Sequence, residues 1–102
     1  MKDRKTFHEE LCQVLGSRNC YYQPPSSKQL KYPCIIYSLN RHEKIAAENK
    51  PYLLYQSYDI IVIDKDPDSV IPFLLLDKFP TCRYDRTYES DNLNHFSLTI
   101  TI

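Results

Sequence analysis

From Phe96 to Ile102 the chain alternates strictly: Phe96, Leu98, Ile100 and Ile102 are apolar, while Ser97, Thr99 and Thr101 are polar. A period of two gives one apolar and one polar face, as on a half-buried antiparallel strand. The stretch 52–102 that ends in it reads as strand, short helix, strand, tight turn, strand, with nothing between that resembles an active site. The chain stops inside this strand, so the expectation is a tail-less building block rather than an enzyme. The expected fold class is α+β: a mixed, mainly antiparallel sheet of about four to five strands, with two helices packed on one face.

At 102 residues the chain is expected to be a single domain over 1–102. A domain of this size buries a real core with little area to spare. The formal net charge is zero. A protein that grips phosphates usually shows a basic surplus, and there is none, which lowers the expectation of nucleic-acid binding. Glycine occurs once, at Gly16, whereas glycine-rich phosphate loops need several. No apolar run approaches bilayer length, so no membrane partner is expected. Met1-Lys2-Asp3-Arg4-Lys5 carries charge without an apolar core behind it and does not read as a signal peptide.

Without a secretion signal, Cys12, Cys20, Cys34 and Cys82 are expected as free thiols in a reducing compartment. No pair has C-x-x-C spacing. His8 and Cys12 lie four apart on an expected helix, but structural zinc draws on close-spaced ligand pairs. Small buried apolar side chains are the better reading of these cysteines.

The first helix is expected over Lys5–Leu15, with Thr6 and Glu9 as a capping box and Gly16 as the stop. Phe7, Leu11, Val14 and Leu15 form its apolar stripe, which lies on the sheet. Cys20-Tyr21-Tyr22-Gln23 reads as a short strand, ended by the surface loop Pro24-Pro25-Ser26-Ser27. Pro33 opens a strand from Cys34 to Leu39, a position that need not donate to the ladder. The polar stretch from His42 to Pro51 reads as a long exposed connection. Tyr52–Lys65 reads as the longest strand, with Tyr58, Ile60 and Val62 on one face and Ile61 and Ile63 on the other. Apolar residues on both faces suggest a central strand, covered by helices on one side and by a partner on the other.

Asp66-Pro67-Asp68-Ser69 signals helix entry in two competing registers. Asp66 caps in one, Ser69 in the other, and Ser69 is preferred because it keeps Pro72 in the first turn. This helix ends near Phe79, and Val70, Phe73, Leu74 and Leu76 are expected to face the sheet. Cys82–Glu89 and Leu93–Ile102 form the final hairpin, around the turn pair Asp91-Asn92.

Candidate chemistry is sparse. Asp64, Asp66 and Asp68 alternate like the opening of a calcium loop, but position six is Ser69 rather than glycine and position twelve is Leu75. His42 stands beside Glu43 without a nucleophile or oxyanion donor nearby. His95 opens the last strand on its polar face, where a solvated or interface role outweighs catalysis. No residue set combines nucleophile, base and charge stabiliser, so no enzymatic activity and no cofactor are expected. Nine tyrosines and four phenylalanines remain. Tyr52, Tyr55, Tyr58, Tyr84 and Tyr88 are expected to cluster on neighbouring strands, where an interface and cross-strand packing are equally good readings. Base stacking on single-stranded nucleic acid is a third, without the basic groove it needs.

The order of features resembles a known family. A first helix precedes Tyr32-Pro33-Cys34-Ile35-Ile36-Tyr37, then a polar connection with Ala47-Glu48-Asn49-Lys50. The strand Tyr58-Asp59-Ile60-Ile61-Val62 follows, then the turn Lys65-Asp66-Pro67-Asp68-Ser69. Cys82-Arg83-Tyr84-Asp85-Arg86-Thr87-Tyr88 leads to the closing Leu93-Asn94-His95-Phe96. Over nearly its whole length the chain resembles the small tail-terminator, or tail-completion, proteins of long-tailed bacteriophages. The resemblance rests on order and local wording, since none of these segments is a chemical signature.

The resemblance implies a homo-oligomeric ring, a hexamer in that family, that caps the tail tube and joins it to the head. The implied partners are the major tail tube protein and the head-tail connector protein. Phage DNA passes through such a ring without sequence-specific contact. The implied location is the virion neck or tail, after synthesis in the host bacterial cytoplasm. The family has no catalytic residues to carry over. Candidate subunit or tube contacts are Arg41, His42, Glu43, Lys44, Glu48, Asn49, Lys50, Tyr52, Tyr55 and His95. A head-to-tail ring needs two different complementary patches on each subunit. The alternatives are a head-side neck connector or adaptor, and a small bacterial protein-binding module that uses strand addition at a sheet edge.

Overall fold

The computed structural model describes residues 3–27, 29–47 and 50–102, with 41–47 and 50–55 described through their backbone. Helix α1 spans Arg4–Leu15 and strand β1 spans Cys20–Tyr22. Strands β2 (Cys34–Ala47) and β3 (Lys50–Asp64) follow, then helix α2 (Ile71–Lys78) and strands β4 (Arg83–Ser90) and β5 (Leu93–Thr101). The five strands make one sheet in the order β1-β2-β3-β5-β4. β1 runs parallel to β2, and every other pairing is antiparallel. The expected mixed α+β architecture is therefore present, with β3 as the central strand.

Alternation along the strands decides the core. Ile35 and Tyr37 on β2 pair with Val62 and Ile60 on β3, which pair in turn with Phe96 and Leu98 on β5. All six are buried on the face that receives Phe7 and Leu11 from α1 and Ile71 and Leu75 from α2. Fully burying a side chain of this kind stabilises by about 1.5–3 kcal/mol, so this layer is the main stabilising element. The opposite face carries Ile36, Ile61, Ser97 and Arg86 in one row. A parallel pair needs a crossover, and here the 24–33 loop makes it. Pro24, Pro25 and Leu30 of that loop line a hollow with Ile36 and Ser38, so the loop crosses the face opposite the helices. Cys34 and Ile63, paired on that face, are buried as well.

The ends of α1 depart from expectation at one terminus only. Asp3, rather than Thr6, caps it: the Asp3 Oδ1 accepts the Thr6 backbone N–H at 2.8 Å. Asp3 has the extended backbone of a cap, whereas Thr6 is already helical. That hydrogen bond holds the Asp3 carboxyl below its ordinary pKa. Gly16 closes the helix as expected, with φ of 81° and its N–H donated to the Cys12 carbonyl at 2.9 Å.

In α2 the phase differs from the expected one. Ile71, Pro72 and Leu75 point inward, with Phe79 buried just beyond the helix. Val70, Phe73 and Leu74 point to solvent, and Leu76 is half-buried. The first six helical residues, Ile71 to Leu76, are all apolar. The spacing Ile71–Leu75–Phe79 therefore satisfies helical periodicity as well as Val70–Phe73–Leu74 does, and no polar face fixes the rotation. The helix also starts one residue later than a Ser69 cap implies. Val70 occupies the cap position, and the Ser69 hydroxyl accepts the Ile71 N–H at 3.4 Å from one residue further back.

The final hairpin turns on Asp91 and Asn92, with φ of 54° and 63°, and is closed by the pair Ser90–Leu93. Both central residues are left-handed, as a two-residue hairpin turn requires. The pairing of β4 with β5 shifts between Tyr84 and Arg86, so Asp85 forms a bulge. Its carboxylate accepts the Thr99 hydroxyl at 2.8 Å.

Candidate assembly surfaces

The stretch expected as a connection is strand. Arg41 to Ile45 pair with Ser57 back to Leu53, and Ala47 pairs with Lys50. β2 and β3 thus continue as a two-stranded antiparallel arm beyond the sheet. β5 reaches only as far as Ile102, whose N–H donates to the Gln56 carbonyl at 2.9 Å, and β1 pairs only Ile35 to Tyr37. A two-stranded ribbon needs no alternation to hide a face, so charged residues at Arg41, Glu43 and Lys44 are compatible with strand pairing there. Polarity alone misled the loop assignment. The arm has a defined root: Asn40 is skipped between the pairs Leu39–Tyr58 and Arg41–Ser57, and its amide donates to Asp59 Oδ1 at 2.9 Å. Such a bulge bends and re-aims a ribbon. The molecule is 52 Å long against 27 and 22 Å across. Its radius of gyration, 14.7 Å, exceeds the roughly 13 Å of a compact domain this size.

Of the expected contact residues, Arg41, His42, Glu43, Lys44, Lys50, Tyr52 and Tyr55 all lie on this arm. Glu48 and Asn49, at its turn, fall outside the described residues. His95 does not belong with them. It pairs with Ile63, six residues along β3 from Ser57 at the arm's root, roughly 20 Å away at strand rise. There His95 stacks on Tyr88 with ring centroids 4.8 Å apart, and its Nδ1 lies 3.1 Å from the Leu93 carbonyl oxygen. The Arg86 guanidinium sits 5.2 Å from the Tyr88 ring on the same face.

A second surface, which periodicity had assigned to the core, lies on α2. Phe73 is 70% exposed and Val70 63%, with Leu74 and Tyr84 also exposed. Phe73, Pro72 and Leu76 form one wall of a cleft of about 520 Å³, and Tyr84, Thr87 and Phe96 form the other. Pro67, Asp68 and Ser69 complete its lining. Exposed large apolar side chains grouped in this way mark contact surfaces more often than single ones do. The one sequence signal that pointed here was the excess of apolar residues over what one helix face can bury.

The tyrosines divide into two groups. β5 separates β3 from β4, so Tyr58 does not sit on a strand adjacent to Tyr84 and Tyr88. Tyr58 instead packs with Phe7, Tyr22 and Tyr37 at centroid distances of 5.1 to 6.3 Å. This cluster is core. Burial pushes the Tyr37 and Tyr58 hydroxyls above their ordinary pKa. The Arg4 guanidinium closes the cluster 4.5 Å from the Tyr22 ring.

Several other titratable groups have local structural partners. His8 Nδ1 is bonded to the Tyr37 hydroxyl at 2.6 Å. Asp64 and Asp66 accept the backbone N–H groups of Asp66 and Asp68 at 3.1 and 2.9 Å, which shapes the turn into α2. Arg18 donates to both Glu9 oxygens at 2.8 Å on the exposed rim of α1 and contributes little stability there. Among the described residues no group of three or more His, Cys, Asp or Glu side chains is placed to hold a metal ion. No helix among them is long and apolar enough to cross a membrane. No protein-family model matches the chain, and no curated protein matches its sequence.

Proposed function

We propose that this chain is a ring-forming structural protein of a bacteriophage neck or tail, acting at the head-proximal end of the tail tube. There it ends tube polymerisation and joins the tail to the head connector. The observation that carries the reading is the β2–β3 arm, which holds seven of the ten expected contact positions and projects past the sheet. The α2 cleft gives the subunit a second and chemically different surface. A closed head-to-tail ring requires such a pair of unlike patches on every copy. Tube and connector are the partners on the two sides of the ring, and the neutral net charge suits mixed-charge contacts. The resemblance in order of elements supports the family reading, and the arm and cleft support it as surfaces suited to assembly.

Light scattering across a concentration series tests the reading. A hexamer, or a mass that rises toward one, supports a ring. A strict monomer that also fails to bind purified tail tubes overturns it.

A second reading rests on the outer edge of the sheet. β4 is an edge strand, exposed along all eight residues. Under this reading the chain is a binding module that adds an extended peptide to β4. A monomer that retains a peptide from a display library, with changed amide signals confined to Arg83–Ser90, favours it.

A further inference from the structure

We infer that the α2 cleft of one copy receives the β2–β3 arm of a second copy, with Lys44 of the arm against Asp68 and Leu54 between the aromatic walls. The inference rests on the ring reading and names its subunit contact. It starts from direction. The arm leaves the sheet at Ser57, where β5 ends beside β3. Phe96 and Thr87, which line the cleft, share a row with Val62, five residues along β3 on the side away from the arm. At strand rise that row lies roughly 17 Å from the arm's root. The arm therefore points away from the cleft of its own chain, and an arm that fills the cleft comes from another copy.

Charge selects this occupant. Asp68 is the one charged residue in the cleft lining, and Phe73, Tyr84 and Phe96 supply its aromatic walls. Arg83 and Arg86 pair with Thr99 and Ser97, so they belong to the opposite face of the sheet. An apolar cleft with a single carboxylate suits a side chain that has an apolar stem and a positive end. On the arm, the register defines two faces. Arg41, Glu43 and Ile45 stand opposite Ser57, Tyr55 and Leu53 on one of them. His42 and Lys44 stand opposite Gln56 and Leu54 on the other. The second face has a base and no acid in these pairs, and it sets an apolar residue directly across from the cation. A second α2 cleft brings the same acid, so pairing two clefts lacks the opposite charge that the arm supplies.

Each copy then gives one arm and accepts one. Such a contact is heterologous, and it makes a ring where the rotation between copies closes.

The test exchanges charges in the full chain and reads self-association by light scattering across a concentration series. Lys44→Glu and Asp68→Lys are each expected to weaken association about tenfold or more at low salt, because each sets like charges together. An equimolar mixture of the two variants is expected to regain the parent's association, since every arm then finds an oppositely charged cleft on the other variant. Misfolding of either variant cannot produce that recovery. In a second measurement Leu54 is replaced by photoreactive benzoylphenylalanine, in a mixture of isotopically light and heavy protein. The expected product joins position 54 of one chain to residues 73–76 or 84–87 of another. Where the free chain is a monomer, both measurements are made on chain bound to purified tail tubes. A hexamer that keeps its affinity in both charge variants, or a cross-link from position 54 to any other segment, overturns this contact and leaves the ring reading standing. A chain that neither self-associates nor binds tubes overturns both.

Discussion

The Tyr37 hydroxyl, at the end of a fully buried side chain, meets His8 Nδ1 at 2.6 Å on the half-buried flank of α1. A core tyrosine of β2 thereby fixes the helix laid across it. Arg4 Nη1 contacts the same hydroxyl at 3.5 Å, so two turns of α1 converge on one oxygen. Tyr37→Phe keeps the ring and removes that oxygen. The expected loss is about 1 kcal/mol, since a half-buried imidazole nitrogen is left without its partner. Urea denaturation of the two proteins measures it, and an unchanged midpoint contradicts it.

Buried thiols make stability fall at alkaline pH. Burial pushes Cys34 and Cys82 from 9.0 up to about 11, and pushes Cys20 higher still, aided by Cys12. A folded-state value raised above the unfolded one means that the folded chain holds protons which the unfolded chain releases. The stabilisation is complete below about pH 9 and is lost as pH rises toward about 11. Denaturant midpoints at about pH 8 and about pH 11 are expected to fall with pH. Cys34→Ala is expected to make that fall shallower.

The rotation of α2 separates two substitutions of neighbouring large residues. Leu75→Ala opens a void in the core and is expected to cost about 2–5 kcal/mol. Phe73→Ser, on the outward side, is expected to change stability by no more than about 0.5 kcal/mol. Under the ring reading, Phe73→Ser lowers the oligomer mass at a given concentration. Thermal melts and light scattering on the same samples separate the two effects.

Replacing residues 43–55 by Asn-Gly joins His42 to Gln56, which already face each other across the ladder, through a favoured two-residue turn. The shortened chain is expected to unfold cooperatively, because none of the described core lies on the arm. It is also expected to remain a monomer where the parent assembles. A shortened chain with the parent's mass in solution contradicts the role given to the arm.

Gly16→Ala isolates a backbone effect. A Cβ built there meets nothing within 4 Å, yet φ is 81°. The expected cost is about 1–2 kcal/mol, from the left-handed conformation alone. A neutral substitution would mean that the helix end moves to relieve it.

Much of this architecture is legible in the residues. The alternation of Phe96 to Ile102, the stripe Phe7–Leu11, the stop at Gly16 and the turn at Asp91-Asn92 each have one physical solution, and the structure adopts it. The failures occur where two solutions are equal or where the deciding partner is distant. α2 has no polar residue before Asp77 to set its rotation. The arm has no third strand to demand alternation, so its polar sequence resembles that of a loop. The tyrosine grouping depended on strand order, and only the insertion of β5 between β3 and β4 determines it. His95, assigned to the contact set by its polar face, was placed by the same missing information at the other end of the sheet.

The bulge at Asp85 has a consequence for the free subunit. An eight-residue exposed edge strand is a template on which other copies can add without limit. Here its row of donors and acceptors is broken after Tyr84, bent by the extra residue and flanked by Arg83 and Arg86. Thr99 holds Asp85 in that bend through its carboxylate. Newly made copies crowded in a cell therefore meet a frustrated edge. Open-ended fibres are discouraged at β4, and under the ring reading association is left to surfaces whose geometry can close on itself.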